Sequence, residues 1–176
     1  MEDYKLSYRL QPLMSIKGSF MTEARITGIQ LFEFDIGTCY QAGKGTLRSC
    51  RYGLLQINCG SCTGWGECVM SVNDSSFDIV KWASFLHSLK GMTLQEALIT
   101  TRLHRILWGG NKADMTQTAL LDLSARMEAE ANWKENEGYP EPASLRKFAT
   151  HTAGTGFDLE PEELFQKSSA YYSVLT

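Results

Sequence analysis

The segment Cys59-Gly-Ser-Cys-Thr-Gly-Trp-Gly-Glu-Cys68 holds three of the chain's five cysteines, two of them in C-x-x-C spacing. That spacing serves zinc or thiol redox chemistry. A structural zinc needs four ligands, usually two such pairs or one pair plus two histidines. Only one pair is present, and His87 and His104 fall within predicted helices, which leaves His151 far along the chain. Cys59, Cys62 and Cys68 could approach one another, but they lack an obvious fourth ligand. Redox catalysis wants a thiol of lowered pKa, as at a helix N-terminus, and no helix follows. The glycines of TGWGE lead into a strand, so they do not form the loop-to-helix cradle that binds phosphate. No Gly-x-Ser-x-Gly elbow occurs either. The expectation is a glycine-bracketed hairpin that happens to contain cysteines.

Carboxylates are the other chemistry available. Glu33 and Asp35 alternate on one strand and point the same way, which on an exposed face predicts solvated charges. Asp122 in ALLDLSA sits among apolar helix residues and is expected to hydrogen-bond a neighbouring helix or loop. Glu67 shares a strand face with Trp65 and Val69, and a carboxylate there must find a partner. A structural role is the first expectation for it, and a place facing a site the second.

The elements that must position these groups follow from composition and period. The chain has 176 residues, 43% hydrophobic and 21% charged, with a net charge of −3. That suits one ordinary globular core. No basic face points to nucleic acid. No apolar run reaches a membrane span, and residues 1–24 lack the apolar middle of a signal peptide. The expected compartment is therefore cytoplasmic, with all five cysteines as reduced thiols. Residues 1–24 read as a poorly ordered leader, in which Met14 or Met21 could equally be the start.

Residues 26–36, 51–59 and 65–69 are rich in β-branched and aromatic types and predict an antiparallel three-stranded meander. The turn between the last two is read as Gly60 to Gly64. A glycine-rich loop at 37–49 joins the first two. The period then becomes helical. Ile79, Trp82, Ala83, Leu86 and Leu89 mark one helix. A second opens on the capping box Thr93-Leu-Gln-Glu96, with Leu94, Ala97, Leu98, Thr101 and Ile106 as its apolar face. A third starts near Asn111-Lys-Ala-Asp114 and buries Ala113, Thr116, Leu120, Leu123 and Met127. The fold class is α+β: a meander followed by a three-helix bundle. After the turn-rich ENEGYPEPASL, a strand at RKFATH and a helix through LFQKSSAYYSVL are expected.

The order of these pieces resembles the enolase superfamily, in its mandelate racemase and muconate-lactonizing branch. The residues that carry the resemblance are RYGLLQINCGSCTGWGEC, the helix from Thr93, and TALLDLSARMEAEA, within a match over about 26–131. Gly64, Trp65, Gly66 and Glu67 form the GWGE motif, and Asp122 belongs to the Ala-Leu-x-Asp-Leu helix. The resemblance implies an enolase N-terminal-like capping domain at 25–135. It also implies that 136–176 are a linker plus the first strand and helix of a truncated TIM barrel, although EGYPEPASL departs from the family's junction.

Family members are isomerases and lyases, namely racemases, epimerases, dehydratases and cycloisomerases. They use Mg²⁺ held by barrel carboxylates to stabilise an enolate formed by α-proton abstraction from a carboxylate substrate. None of those barrel positions lies in this chain, and no Lys-x-Lys base motif does. The expectation is thus a chain with no catalytic residue, metal ligand or cofactor of its own, inactive alone. Its substrate-lid candidates are Tyr40, Gln41, Arg48 and Asn73. A small carboxylate would be a partner only with a barrel supplied, and nucleic acid and membranes are not expected partners. The alternative is a non-enzymatic α+β interaction module that self-associates through apolar faces of the tail.

Overall fold

The computed structural model describes residues 23–36, 39–40, 47–135 and 161–175. Strand β1 (Gly28–Asp35) pairs antiparallel with β4 (Cys50–Cys59), which pairs antiparallel with β5 (Cys62–Val72). A short ribbon, β2 (Cys39–Tyr40) with β3 (Leu47–Arg48), lies in the β1–β4 connection. The helical part comprises α1 (Ile79–Ala83), a 3-10 helix (Ser84–Leu89), α2 (Leu94–Leu103), α3 (Arg105–Trp108) and α4 (Gly110–Glu135). The tail contributes α5 (Pro161–Lys167) and β6 (Ala170–Leu175). The fold is α+β, as the change of period predicts.

The sheet is larger than the expected meander. Its order is β5-β4-β1-β6, so AYYSVL, expected within a helix, is a fourth strand paired antiparallel with β1. The helix of PEELFQK ends at Lys167. The Ser169 amide and hydroxyl then donate to Glu33 O at 2.7 and 3.0 Å, which fixes the entry into β6. Tyr171, Tyr172 and Val174 are strand formers, and the open edge of β1 supplies backbone partners that a lone segment lacks. The expected strand RKFATH, the leader up to residue 22, and Gln41 lie outside the described residues.

Alternation sorts the sheet into two faces. Ile29, Leu31, Leu55, Ile57, Met70 and Val174 pack against Leu86, Leu89, Leu94, Leu98, Met115, Ala119, Leu120 and Leu123. Each such side chain contributes about 1.5–3 kcal/mol of burial, and this layer is the core. The capping box forms as read, with Glu96 N donating to Thr93 Oγ1 at 3.2 Å and Thr93 N to Glu96 Oε2 at 2.8 Å.

The helices deviate in three places. The segment after Phe77 is not one helix but a short α-turn capped by Asp78 followed by 3-10 structure. The Ser84 and Ser88 hydroxyls donate to the carbonyls three residues back, at 2.9 and 2.7 Å, the spacing of the tighter helix. Helix α2 stops at His104, and the chain turns so that Ile106, expected on the core face, is 97% exposed. Asn111 lies inside α4 and does not cap it; its amide donates to Val69 O at 3.0 Å, tying the helix start to β5.

Candidate functional site

The opening motif builds the junction between β5 and α4. The turn is two residues, Gly60 and Ser61, with Gly60 at φ 59°, and β5 starts at Cys62, earlier than expected. Gly64, expected to close the turn, is therefore a strand residue like Gly66. Within a strand, glycine marks a close backbone approach. A Cβ on Gly66 would sit 2.1 Å from Met115 O, and one on Gly64 would sit 2.2 Å from Ala119 O. The helix backbone thus lies directly on the strand. Between the two glycines, the Trp65 amide donates to Asp122 Oδ2 at 2.9 Å, and Arg126 Nε donates to the same oxygen at 3.0 Å. Motif strand and motif helix are locked at a single carboxylate.

Trp65 and Glu67 point to the opposite face. Cross-strand register places Tyr171, Phe32, Leu54 and Glu67 in one row across the four strands. Phe32 is buried beneath Phe165 of α5 and Tyr171, with ring centroids 5.1 and 5.3 Å away. At the β5 end of the row, Glu67 Oε2 is enclosed and forms no hydrogen bond of ordinary geometry among the described residues. Tyr52 stands beside it. Burial, and then the neighbouring Glu67 carboxylate, push the Tyr52 phenol well above its usual range.

Glu33 departs from the sequence reading. It is not solvated but 2% exposed, and it forms an ion pair with Arg51. Its face is the helix-facing one, and Arg51 also lies over the Phe77 ring, 5.4 Å from its centroid. Asp35 is exposed, as expected.

Of the lid candidates, Tyr40 and Arg48 lie on the β2–β3 ribbon, where Tyr40 pairs with Leu47 and Cys39 with Arg48. Asn73 follows β5 at φ 54°, a left-handed conformation that asparagine tolerates. Its amide donates to Ser49 O at 2.9 Å. The backbone therefore brings Asn73 beside Ser49, the residue that follows Arg48.

A cleft of about 480 Å³ opens at the other end of the hairpin, lined by Arg25, Cys59, Ser61, Cys62, Met127 and Glu130, among others. The Cys62 thiol donates to Glu130 Oε2 at 2.8 Å, and the Ser61 hydroxyl donates to the same oxygen at 3.0 Å. Burial, and then Glu130, push the Cys62 thiol up to about 11. Cys68 lies apart, 3.6 Å from Met115 Sδ, and burial raises it to about 12. Among the described residues no three His, Cys, Asp or Glu side chains are placed to hold a metal ion. Cys59, Cys62 and Cys68 are free, and Cys50 is disulfide-bonded, against the expectation of five reduced thiols. No described helix is long and apolar enough to cross a membrane.

Two features carried no sequence signal. Glu33 and Arg51 are separated by a loop, and only strand register joins them. Lys112 Nζ sits 5.0 and 5.2 Å from the Trp82 and Phe85 ring centroids, a cation–π contact across three elements.

Comparisons with known proteins bear on the arrangement of elements. Three solved structures are similar. A mandelate racemase/muconate lactonizing enzyme from Roseovarius nubinhibens ISM shares 20% identity at a TM-score of 0.42. An enolase-superfamily member from the same organism shares 17% at 0.41. A provisionally assigned mandelate racemase/muconate lactonizing enzyme from Pseudovibrio sp. shares 14% at 0.43. Each match covers 60% of this chain and 30–32% of the other, so the chain spans about a third of their length. These values are too low to transfer any residue role. No family model and no curated protein matches the chain.

Proposed function

We propose that this chain is a capping module of the enolase-superfamily type, one that shapes a small-carboxylate pocket without supplying the chemistry. The observation that carries the reading is the lock at Asp122. The residues quoted for the resemblance, GWGE at 64–67 and the ALLDL segment at 119–123, are the ones that meet. The lock fixes β5, and β5 delivers Asn73 to Ser49, which follows the β2–β3 ribbon that carries the lid candidates Tyr40 and Arg48. Arg48 is the group whose charge suits a substrate carboxylate. In such a system Mg²⁺ would polarise the substrate carboxylate, and the described residues do not fit such an ion. The test is α-proton exchange in D₂O, followed by NMR, over a panel of α-substituted carboxylates with Mg²⁺ present. The purified chain should exchange none. Robust exchange abolished by EDTA would overturn the reading.

A second reading, a protein-interaction module, is favoured by one observation. Ile99, Leu103, Ile106 and Leu107 form an exposed apolar ridge along α2 and α3, the kind of surface that marks association. In the tail Leu164 and Val174 are buried, while Phe165 and Tyr171 remain partly exposed and add to the apolar surface available. Light scattering distinguishes the two: concentration-dependent association lost in Leu107→Glu supports this second reading, and a monomer at all concentrations removes it.

A further inference from the structure

We propose that Cys59 and Cys62 form a reversible dithiol–disulfide pair that closes across the hairpin turn, oxidised by a low-molecular-weight organic disulfide entering the adjoining cleft. The two residues are direct cross-strand partners in the β4–β5 register. Residues so opposed have Cα atoms about 4.5–5.5 Å apart, inside the range of about 4.4–6.8 Å that a cystine spans. Alternation puts both side chains on the helix-facing side, Cys59 in phase with Ile57 and Cys62 in phase with Gly64. Both also line the same cleft. Cys68 belongs to neither arrangement, because its register partner is Gly53.

The chemistry proceeds in two exchanges. Cys62 is the accessible thiol and Cys59 the buried one, so Cys62 reacts first. It loses its proton to solvent on the Glu130 side, and its thiolate attacks one sulfur of the small disulfide. A mixed disulfide forms at Cys62, and one small thiolate leaves and takes up a proton. Cys59 then loses its proton and attacks the Cys62 sulfur. The second small thiolate leaves and is protonated, and the Cys59–Cys62 bond remains. Two thiols have been oxidised and one small disulfide reduced to two thiols.

The Ser61 hydroxyl favours the Cys62 thiolate, but burial and the Glu130 carboxylate outweigh it. Glu130 and Glu23 are acidic, and Arg25, the cationic group in the cleft wall, donates to Gly91 O at 2.8 Å. Both thiols are raised by burial. Closure is therefore slow, and reopening is slow too, because a thiol of high pKa leaves a disulfide reluctantly. The pair thus acts as a persistent staple and not as a turnover catalyst.

The test incubates the folded full chain with hydroxyethyl disulfide and its thiol at fixed ratios, then blocks free thiols and maps them by mass spectrometry. The wild type should lose two hydrogens, with Cys59 and Cys62 protected from alkylation together and Cys68 still alkylated. Cys59→Ser should stop at a stable mercaptoethanol adduct on Cys62. Cys62→Ser should give at least tenfold less adduct on Cys59. A wild type that keeps all three thiols free at the most oxidising ratio would overturn the proposal, as would a bond to Cys68 or equal adduct on the two serine variants. The wild-type measurement stands even if a variant folds poorly.

Discussion

Gly66→Ala inserts a methyl group where the backbone of α4 already lies. Its Cβ would be 2.1 Å from Met115 O, 2.9 Å from Ala119 N and 3.1 Å from Ala119 Cβ. Two of those atoms are helix backbone, one of them a carbonyl in the middle of a helix turn, so no side chain can swing aside. Strand and helix must separate by about 1 Å to restore ordinary contact. Forced expansion of a packed layer costs about 1–3 kcal/mol. The same movement stretches the Trp65 amide from Asp122, a bond to a charged acceptor worth about 1.5–3 kcal/mol. The sum, about 2.5–6 kcal/mol, is a large share of the 5–15 kcal/mol that holds a typical domain. Urea unfolding followed by circular dichroism should show the midpoint falling by about 2 M for an m-value near 2 kcal/mol/M. Gly28→Ala is the control, since its Cβ would meet nothing nearer than Asn58 Nδ2 at 3.5 Å, and it should change stability by less than about 0.5 kcal/mol. A Gly66→Ala midpoint as unperturbed as the control's would refute the close approach of β5 and α4.

Other expectations follow from the same contacts. Asp122→Asn keeps an acceptor for the Trp65 amide but loses the charge that holds Arg126, so it should cost about 1–2 kcal/mol in urea unfolding. Glu33→Gln removes the buried partner of Arg51, which keeps Asp35 and Asp74 as neighbouring charges and is partly exposed, so it should cost about 1–2 kcal/mol. The Cys68 thiol titrates near 9 when unfolded and about 12 when folded. Its contribution is therefore fully present below pH 9 and is lost as pH rises from 9 towards 12, because the unfolded chain releases the proton first. Tyr52 adds to this loss above about pH 10 for the same reason. The urea midpoint should hold to about pH 9 and fall from there to about pH 10.5, and the fall should shrink in Cys68→Ala.

Local signals were the legible ones. The alternation of 51–59, the Thr93–Glu96 box and the core stripe of α4 are written in neighbouring residues, and they sit where the pattern puts them. Gly64 is visible in the sequence but ambiguous, and Gly66 reads as a strand residue without showing what packs on it. Glycine serves a turn and a close approach equally well, and only the position of α4 decides between them. The tail strand was obscured because PEELFQK is a genuine helix start whose acidic residues complement the helix dipole, and nothing local marks its end before Ala170. The pairing that makes AYYSVL a strand lies with β1, at the far end of the chain. Glu33 differs from its sequence expectation for a related reason: its partner Arg51 lies on the neighbouring strand, so a charge that looks solvated on one strand is neutralised across two. At the candidate site, the Asp122–Trp65 contact was foreseen only as some hydrogen bond to a neighbour, because a sequence names the acceptor and not the donor.

The central claim is that the motif strand and the motif helix are one cooperative unit locked at Asp122. Native-state amide hydrogen exchange measured by NMR tests it most directly. The Trp65 amide should be protected to the same free energy as the amides of α4 from Met115 to Leu123, and Asp122→Asn should lower both together. A Trp65 amide that exchanges at the rate of an open loop while α4 stays protected would contradict the account.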